Sequence, residues 1–256
     1  MIGISMTAYS EKSLDGFEYW VQTVRELGFD FIEIMSEWPH YLSSGNLPLF
    51  REILSSYGMK VTVHAPFGDV NIASFNERIR DASLEIIRET LELSAELGAM
   101  VVTVHPGHWS PVSVNNPREY LEIHRRSLRD IARWSEEYGV KVGVENMPRF
   151  PILDAQDCDR LAEIIGEIEI GVTFDVGHLN TTTQNFDRFL ELFADRIVHV
   201  HLHDNSGERD EHLPPGRGTV PWERLLPRFQ EVTMALEVKG ISEARSGLRF
   251  IGEVLQ

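Results

Sequence analysis

The chain has 256 residues, of which 42% are hydrophobic and 25% charged, which fits one barrel-sized globular domain. It has no apolar run of the roughly 18 residues that a membrane helix needs, and no secretory signal follows Met1, so we expect a cytoplasmic protein. The net charge of −16 argues against a broad surface for nucleic acid, and the single cysteine, Cys158, excludes an internal disulfide.

Eight units, each an apolar strand followed by an amphipathic helix, run along the chain without a break. The predicted strands start near Ile2, Phe31, Val61, Val101, Val142, Ile170, Ile197 and Thr233. The predicted helices cover residues 16–27, 47–57, 77–97, 118–138, 157–165, 185–194, 222–229 and 242–255. Glycines such as Gly98 and Gly139 follow several of them, as is typical of helix ends. The pattern predicts a single (β/α)8 TIM barrel domain over residues 1–256.

Side chains that can bind a metal close these strands or lie just beyond them. They are His64, His105, Glu145, Asp175, His178, His201, Asp210, His212 and Glu237. Because the exits of parallel barrel strands converge on one mouth, the residues predict a single polynuclear metal site. Buried carboxylates without cations would be costly, which favours bound metal. Histidine and carboxylate ligands without a thiolate suit Zn²⁺, Mn²⁺, Fe²⁺ or Co²⁺, and the sequence does not single out one of them.

The motifs around these residues resemble those of the xylose isomerase-like TIM barrels. Among them, the sequence is most similar to endonuclease IV, the second family of abasic-site (AP) endonucleases. The motifs are Val104-His105-Pro106-Gly107, Val144-Glu145-Asn146, Phe174-Asp175-Val176-Gly177-His178, His201-Leu202-His203-Asp204-Asn205, Asp210-Glu211-His212 and Leu236-Glu237. The resemblance implies three metal sites, held by His64, His105 and Glu145, by Glu145, Asp175, His201 and Glu237, and by His178, Asp210 and His212.

The same resemblance implies an activity, phosphodiester hydrolysis. Two or three divalent ions, Zn²⁺ or Mn²⁺, would activate a hydroxide and neutralise charge on the phosphate, so that no side-chain nucleophile is needed. Glu145 and Glu237 are the residues on which we expect this activity to depend.

Two other functions stay open at this stage. Sugar isomerases and epimerases of the superfamily keep only the central ligands, which here would be Glu145, Asp175, His201 and Glu237, and bind one metal. Glu145 and Glu237 would then act as acid and base. The motif Asp210-Glu211-His212 favours the hydrolase, because sugar isomerases need not retain it. A metal-stabilised barrel that binds a ligand without turning it over is the third interpretation.

The choice of ligands and substrate contacts involves a few further residues. His199, His201 and His203 alternate along one strand, so His203 is an alternative to His201 as a ligand. Arg217 is the expected contact for a substrate phosphate, and Phe67 keeps an aromatic residue that endonuclease IV uses on DNA. Gly68, which has no side chain to insert, and the acidic net charge argue against duplex DNA. A phosphodiester or a sugar phosphate is the expected substrate, and duplex DNA stays open as a less favoured alternative.

Overall fold

The computed structural model describes residues 1–256 and has eight parallel strands at its centre, closed into one barrel. The strands are β1 (Ile2–Ser5), β2 (Phe31–Met35), β3 (Lys60–His64), β4 (Val101–Val104), β5 (Lys141–Glu145), β6 (Gly171–Asp175), β7 (Ile197–Leu202) and β8 (Thr233–Leu236). Each strand pairs with the next in the chain, and β1 pairs with β8 to complete the ring. The predicted (β/α)8 barrel is confirmed.

Ten helices connect the strands on the outside of the barrel. They are α1 (Phe17–Leu27), α2 (Leu47–Ser56), α3 (Glu77–Leu97), α4 (Pro111–Val114), α5 (Pro117–Tyr138), α6 (Cys158–Ile165), α7 (Val176–Thr181), α8 (Phe186–Phe193), α9 (Trp222–Leu225) and α10 (Ile241–Val254). The sequence pattern did not predict the short α4 and α7. None of the helices combines the length and the apolarity required to cross a membrane.

The helix predicted over residues 222–229 is shorter than expected. An α-helix spans only Trp222–Leu225, and a 3-10 helix covers Leu226–Arg228. Pro227 explains the change, since it lacks the amide N–H that would continue the α-helical hydrogen bonds. The helix ends at Gly98 and Gly139 follow the prediction, because both glycines take left-handed conformations, with φ of 78° and 68°.

The barrel interior beneath the mouth is filled by polar side chains. The hydroxyl groups of Thr103 on β4 and Thr173 on β6 lie 2.9 Å apart, and His199 on β7 contacts Glu33 on β2. These pairs join strands that are not neighbours, so their side chains meet inside the barrel. The alternate strand residues, such as Val102 and Val144, are apolar and fully buried between the sheet and the helices. The interior therefore provides a rigid polar floor for the mouth.

Candidate metal centre

The side chains predicted to bind metal all lie at the carboxyl-terminal mouth of the barrel. Three of them, His64, Glu145 and Asp175, are the last residues of β3, β5 and β6. His201 is the next-to-last residue of β7, while His105 and Glu237 directly follow β4 and β8. The remaining three side chains, His178, Asp210 and His212, come from a helix and a loop and approach the mouth from its rim.

His178 reaches the site because a short helix begins at the end of β6. Asp175 is the N-cap of α7, and its Oδ1 accepts a hydrogen bond of 2.6 Å from the backbone N–H of His178. This capping bond starts the helix and places His178 one turn after Asp175. A single strand end therefore supplies two candidate ligands.

Asp210 and His212 are carried by the loop that follows β7, and the buried carboxylate of Asp204 organises that loop. Asp204 accepts hydrogen bonds from the backbone N–H of Gly216 at 3.0 Å and from the indole of Trp222 at 2.8 Å. Its backbone also pairs with Leu213 in an antiparallel bridge. His212 has a φ of +51°, a conformation that non-glycine residues rarely adopt and that is common at functional sites.

The first group of candidate ligands, which we call the triad, consists of His64, His105 and Glu145. Oε2 of Glu145 lies 2.8 Å from Nε2 of His105 and 3.3 Å from Nε2 of His64. Nδ1 of His64 is 2.8 Å from the carbonyl oxygen of Ala65, which can only accept a hydrogen bond. The ring proton therefore stays on Nδ1, and Nε2 is free to bind a metal. The His105 side chain is 19% exposed, so the triad opens to solvent.

The second group lies deeper and centres on His201. Nδ1 of His201 is 2.6 Å from Oε1 of Glu145, 3.6 Å from Asp175 and 3.8 Å from Glu237. The two oxygens of Glu145 therefore face different histidines, with Oε2 toward His64 and His105 and Oε1 toward His201. A carboxylate in this position has the arrangement of a ligand that bridges two metal ions.

The third group, which we call the four-residue cluster, consists of His178, His203, Asp210 and His212. One donor atom from each of these residues lies within 4.8 Å of the others. Asp210 Oδ2 is 3.4 Å from Nε2 of His178 and 3.2 Å from Nε2 of His212. His203 belongs to this cluster although our sequence reasoning considered it only as a substitute for His201.

The charges of the site are strongly interdependent. Burial raises the pKa of Glu145, but the surrounding histidines, His201 first, outweigh it and hold that pKa well below its usual value. Burial opposes protonation of His178, yet Asp175 and Asp210 raise its pKa to about 10. In the same way Asp210 and Glu237 raise the pKa of His212 to about 9. The carboxylates therefore require positive charge, which protons supply when no metal is bound.

His105 behaves differently from the histidines of the four-residue cluster. Burial lowers its pKa to about 4, and the contact with Glu145 compensates only in part. Its imidazole is therefore neutral at physiological pH and needs no deprotonation before it binds a cation. Nitrogen and carboxylate donors together, one carboxylate shared between two groups, and ring nitrogens whose partners fix the tautomer all fit divalent metal ions.

Glu33 is a buried residue of the site that our sequence reasoning missed. Its Oε2 lies 3.2 Å from Nε2 of His201 and 3.1 Å from Nε2 of His199, and both histidines are fully buried. It therefore supports His201 on the side opposite the candidate ligands. The available signal was a charged residue in the middle of the apolar strand Phe31-Ile32-Glu33-Ile34-Met35.

The two predicted substrate contacts lie on opposite sides of the mouth. The ring of Phe67 stacks on that of His105 with centroids 4.6 Å apart, and Glu37 holds its loop by accepting from the N–H groups of Phe67 and Gly68. Arg217 is exposed on the loop after β7, and its side chain forms no ion pair. Their roles stay predictions.

Comparison with known proteins places the chain among barrels that include nucleases and sugar-modifying enzymes. The sequence profile described as "Xylose isomerase-like TIM barrel" matches residues 21–253. The uncharacterized protein MJ1311 of Methanocaldococcus jannaschii is 35% identical, over 99% of this chain and 89% of that protein. A probable endonuclease 4 of Mycobacterium leprae is 29% identical over 78% of this chain and 80% of its own length.

Among solved structures, one described as a D-tagatose 3-epimerase-like protein superimposes with a TM-score of 0.89. It is 34% identical in sequence, and the match covers 99% of this chain and 96% of that one. The relatives therefore carry names from two reaction classes, and the choice between them depends on the residues of the site.

Proposed function

We propose that this chain, which belongs to the xylose isomerase-like TIM barrel family, is a metal-dependent hydrolase of phosphodiesters. The observation that carries the proposal is the position of Glu145, whose Oε2 faces His64 and His105 while its Oε1 faces His201. A carboxylate bound on both sides is suited to bridging ions and poorly suited to moving a proton, because neither oxygen is left for a substrate.

Three sets of residues would hold the ions. The triad would hold the first, Glu145 with Asp175, His201 and Glu237 the second, and His178, Asp210 and His212 the third. When bound, divalent ions lower the pKa of water and neutralise negative charge on a phosphate. The side chains of this chain fix the ions in place, and Glu33 orients His201 through the ring nitrogen that faces away from the second site.

The charge of the molecule and the residues of the rim support a proposal for the substrate class. A net charge of −16 disfavours long nucleic acids, and Gly68 presents no side chain to a base stack. Arg217 supplies a cation for a phosphate, and Phe67 supplies a flat apolar surface beside the triad. We therefore propose a small phosphodiester or a sugar phosphate as the substrate, and Zn²⁺ or Mn²⁺ as the metal.

A second candidate function is epimerisation of a sugar with one bound ion. The similarity to the D-tagatose 3-epimerase-like protein, at 34% identity over 99% of this chain, favours it. In this alternative, Glu145 and Glu237 exchange protons with carbons next to a carbonyl, and His178, Asp210 and His212 have no part in turnover.

One experiment separates the two functions. The protein is purified without chelator, loaded with Zn²⁺ or Mn²⁺, and assayed on bis(p-nitrophenyl) phosphate, on an oligonucleotide with an abasic site, and on ketohexoses. His212→Gln is compared with the wild type on every substrate. Hydrolysis that requires His212 supports the hydrolase, whereas epimerisation that survives His212→Gln would replace it with the second candidate.

A further inference from the structure

We propose that His203 is a ligand of the third metal, so that this ion is held by four side chains of the protein, three imidazoles and one carboxylate. The inference rests on the metal centre of the proposed function but not on its substrate or reaction. It concerns the four-residue cluster of His178, His203, Asp210 and His212.

The hydrogen bonds of the three rings show which nitrogen of each is free. Nδ1 of His178 is 2.8 Å from the carbonyl oxygen of Asn146, and Nδ1 of His212 is 3.3 Å from that of Glu237. Nε2 of His203 is 3.0 Å from Oδ1 of Asp175. These three oxygens only accept hydrogen bonds, so each fixes the ring proton on the nitrogen that faces it. When the ring is neutral, as metal binding requires, its second nitrogen is left with a lone pair.

The three free nitrogens converge on Asp210. Nε2 of His178 and Nε2 of His212 lie 3.4 and 3.2 Å from Oδ2 of Asp210, and Nδ1 of His203 lies 3.6 Å from Oδ1. Tetrahedral zinc with bonds of about 2.0 Å has neighbouring donor atoms about 3.3 Å apart. The three distances to Asp210 are close to that value, and all four donor atoms lie within 4.8 Å of one another, so modest movements would bring them onto one ion.

His203 also contains an unexplained polar atom. The residue is fully buried, and its Nδ1 has no hydrogen-bond partner. A buried acceptor without a partner is costly, so its position requires a compensating contact. The ring cannot turn away, because it stacks on His212 at 4.1 Å and lies so close to Gly177 that a Cβ there would be 2.1 Å from it.

Four protein ligands would give the third ion a different role from the ion of the triad, which has three. Metal sites that do chemistry keep an open position for water or substrate, whereas sites filled by protein side chains are closed. The third ion would therefore be a fixed positive charge beside the site, and an exchangeable position would belong to the triad, which has three ligands and is partly open to solvent.

The test is a count of bound metal in four proteins: the wild type, His203→Gln, His212→Gln and the double variant. The glutamine amide can still donate to Asp175 but has no ring nitrogen with a lone pair. We expect about three ions in the wild type and two in each of the other proteins, with affinity for the third ion weakened more than about 100-fold, beyond the effect of an outer-shell partner. Because both residues bind the same ion, the double variant loses no further metal.

Three results of the metal counts would overturn the proposal. His203→Gln could keep its third ion with unchanged affinity, or the double variant could hold one ion, which would assign His203 to the second site with Asp175 and Glu237. The matched control is His199→Gln, a buried histidine on the same face of β7 that lies outside the cluster. Loss of the third ion in this control as well would also contradict the assignment.

Visible spectra of the Co²⁺-loaded proteins give a readout independent of any assay of activity. The absorption of tetrahedral Co²⁺ should be strong in the wild type and in His199→Gln, and His203→Gln should lose the share that comes from the third ion. If the spectra behave in this way and phosphodiesters are not cleaved, the third site stands while the proposed function fails. A wild-type spectrum without this absorption would contradict the four-ligand site.

Discussion

The triad and the four-residue cluster are neighbours in one mouth, where Nδ1 of His178 lies 3.8 Å from Oε1 of Glu145, yet they offer a metal different environments. The triad has a neutral imidazole at His105, which has a pKa of about 4, and is partly open to solvent. The cluster has two histidines with pKa values raised to about 10 and 9, held by Asp210 and its neighbours. The cluster must therefore lose more protons than the triad before it binds an ion.

The difference has a structural origin. The triad residues end or directly follow adjacent strands of the barrel, which fix the spacing of their side chains but leave room above them. The cluster takes its residues from a capped helix, a strand end and a loop that folds over the mouth, so it surrounds its centre more completely. The strands thus build the more open part of the centre, and the connections after β6 and β7 build a more enclosed one.

The largest effect is expected from Glu145→Gln, which should remove metal from one of the two regions and leave it in the other. The neutral amide cannot bridge ions, so the triad and the His201 group should lose metal while the cluster keeps its ion. We expect a fall in bound metal from about three ions to one, and a loss of kcat/KM greater than the roughly 10³-fold effect of removing a single charge-stabilising donor. Elemental analysis and hydrolysis assays measure the two quantities.

The control for this variant is Glu136→Gln, which removes the same charge from the exposed face of α5. It should keep both the metal content and the activity of the wild type. Normal activity in Glu145→Gln, or loss of all three ions together, would show that the two regions do not bind metal separately.

The pH dependence of metal binding should sharpen the comparison. A metal needs neutral imidazoles, and a raised pKa means that a proton must leave first, so acid weakens binding. His178 and His212 are both protonated at neutral pH, and the cluster should lose about 100-fold in affinity per pH unit as the pH falls from about 8 to 6.

The triad should respond less to acid, because His105 is already neutral. Only His64 has a raised pKa there, where Glu145 outweighs the effect of burial, so one proton at most is displaced and affinity should fall no more than about tenfold per pH unit. Competition titrations with a fluorescent zinc chelator, on wild type and His212→Gln, measure both slopes. Equal slopes for the two sites would remove the distinction between them.

A smaller effect is expected from Glu33→Gln, which changes the floor of the centre and neither of the two regions directly. Glu33 fixes the proton on Nε2 of His201, and loss of such an outer-shell partner typically costs 10–100-fold in metal affinity. Only the ion that His201 binds should weaken, while the cluster ion keeps its affinity. Thermal denaturation of the metal-free protein checks that a general loss of stability is not the cause.

The fold could be predicted in detail because its signals are local. The predicted strand starts near Ile2, Phe31 and Val101 coincide with β1, β2 and β4, since runs of β-branched and apolar residues separated by amphipathic helices have few other interpretations. The short α7 escaped prediction because a single side chain, Asp175, starts it.

The site could be predicted only in part, for a physical reason. Residues at strand ends must converge in a closed parallel barrel, which is why His64, Glu145 and Asp175 could be grouped from the sequence. The contacts inside the barrel depend on which strands face each other across it, and sequence does not give that. Glu33 and the free nitrogen of His203 were therefore visible only in three dimensions.

The smallest effects are expected at the rim, where Phe67 belongs to the side of the triad and Arg217 to the loop that carries Asp210 and His212. Arg217→Ala should raise KM for a phosphodiester roughly tenfold and leave kcat unchanged, because an exposed cation contributes to binding of the charged substrate before and after the reaction alike. Phe67→Ala should change KM only a few-fold, since Phe67 is 36% exposed and covers little apolar surface.

Steady-state kinetics at two salt concentrations distinguish these contributions. Salt should weaken the Arg217 contribution, which is electrostatic, and leave that of Phe67 unchanged. A fall in kcat in Arg217→Ala with KM unchanged would mean that the arginine acts in the transition state instead. The loop that carries Asp210 and His212 would then also take part in the chemistry. In that case the open triad and the enclosed cluster would not differ in function.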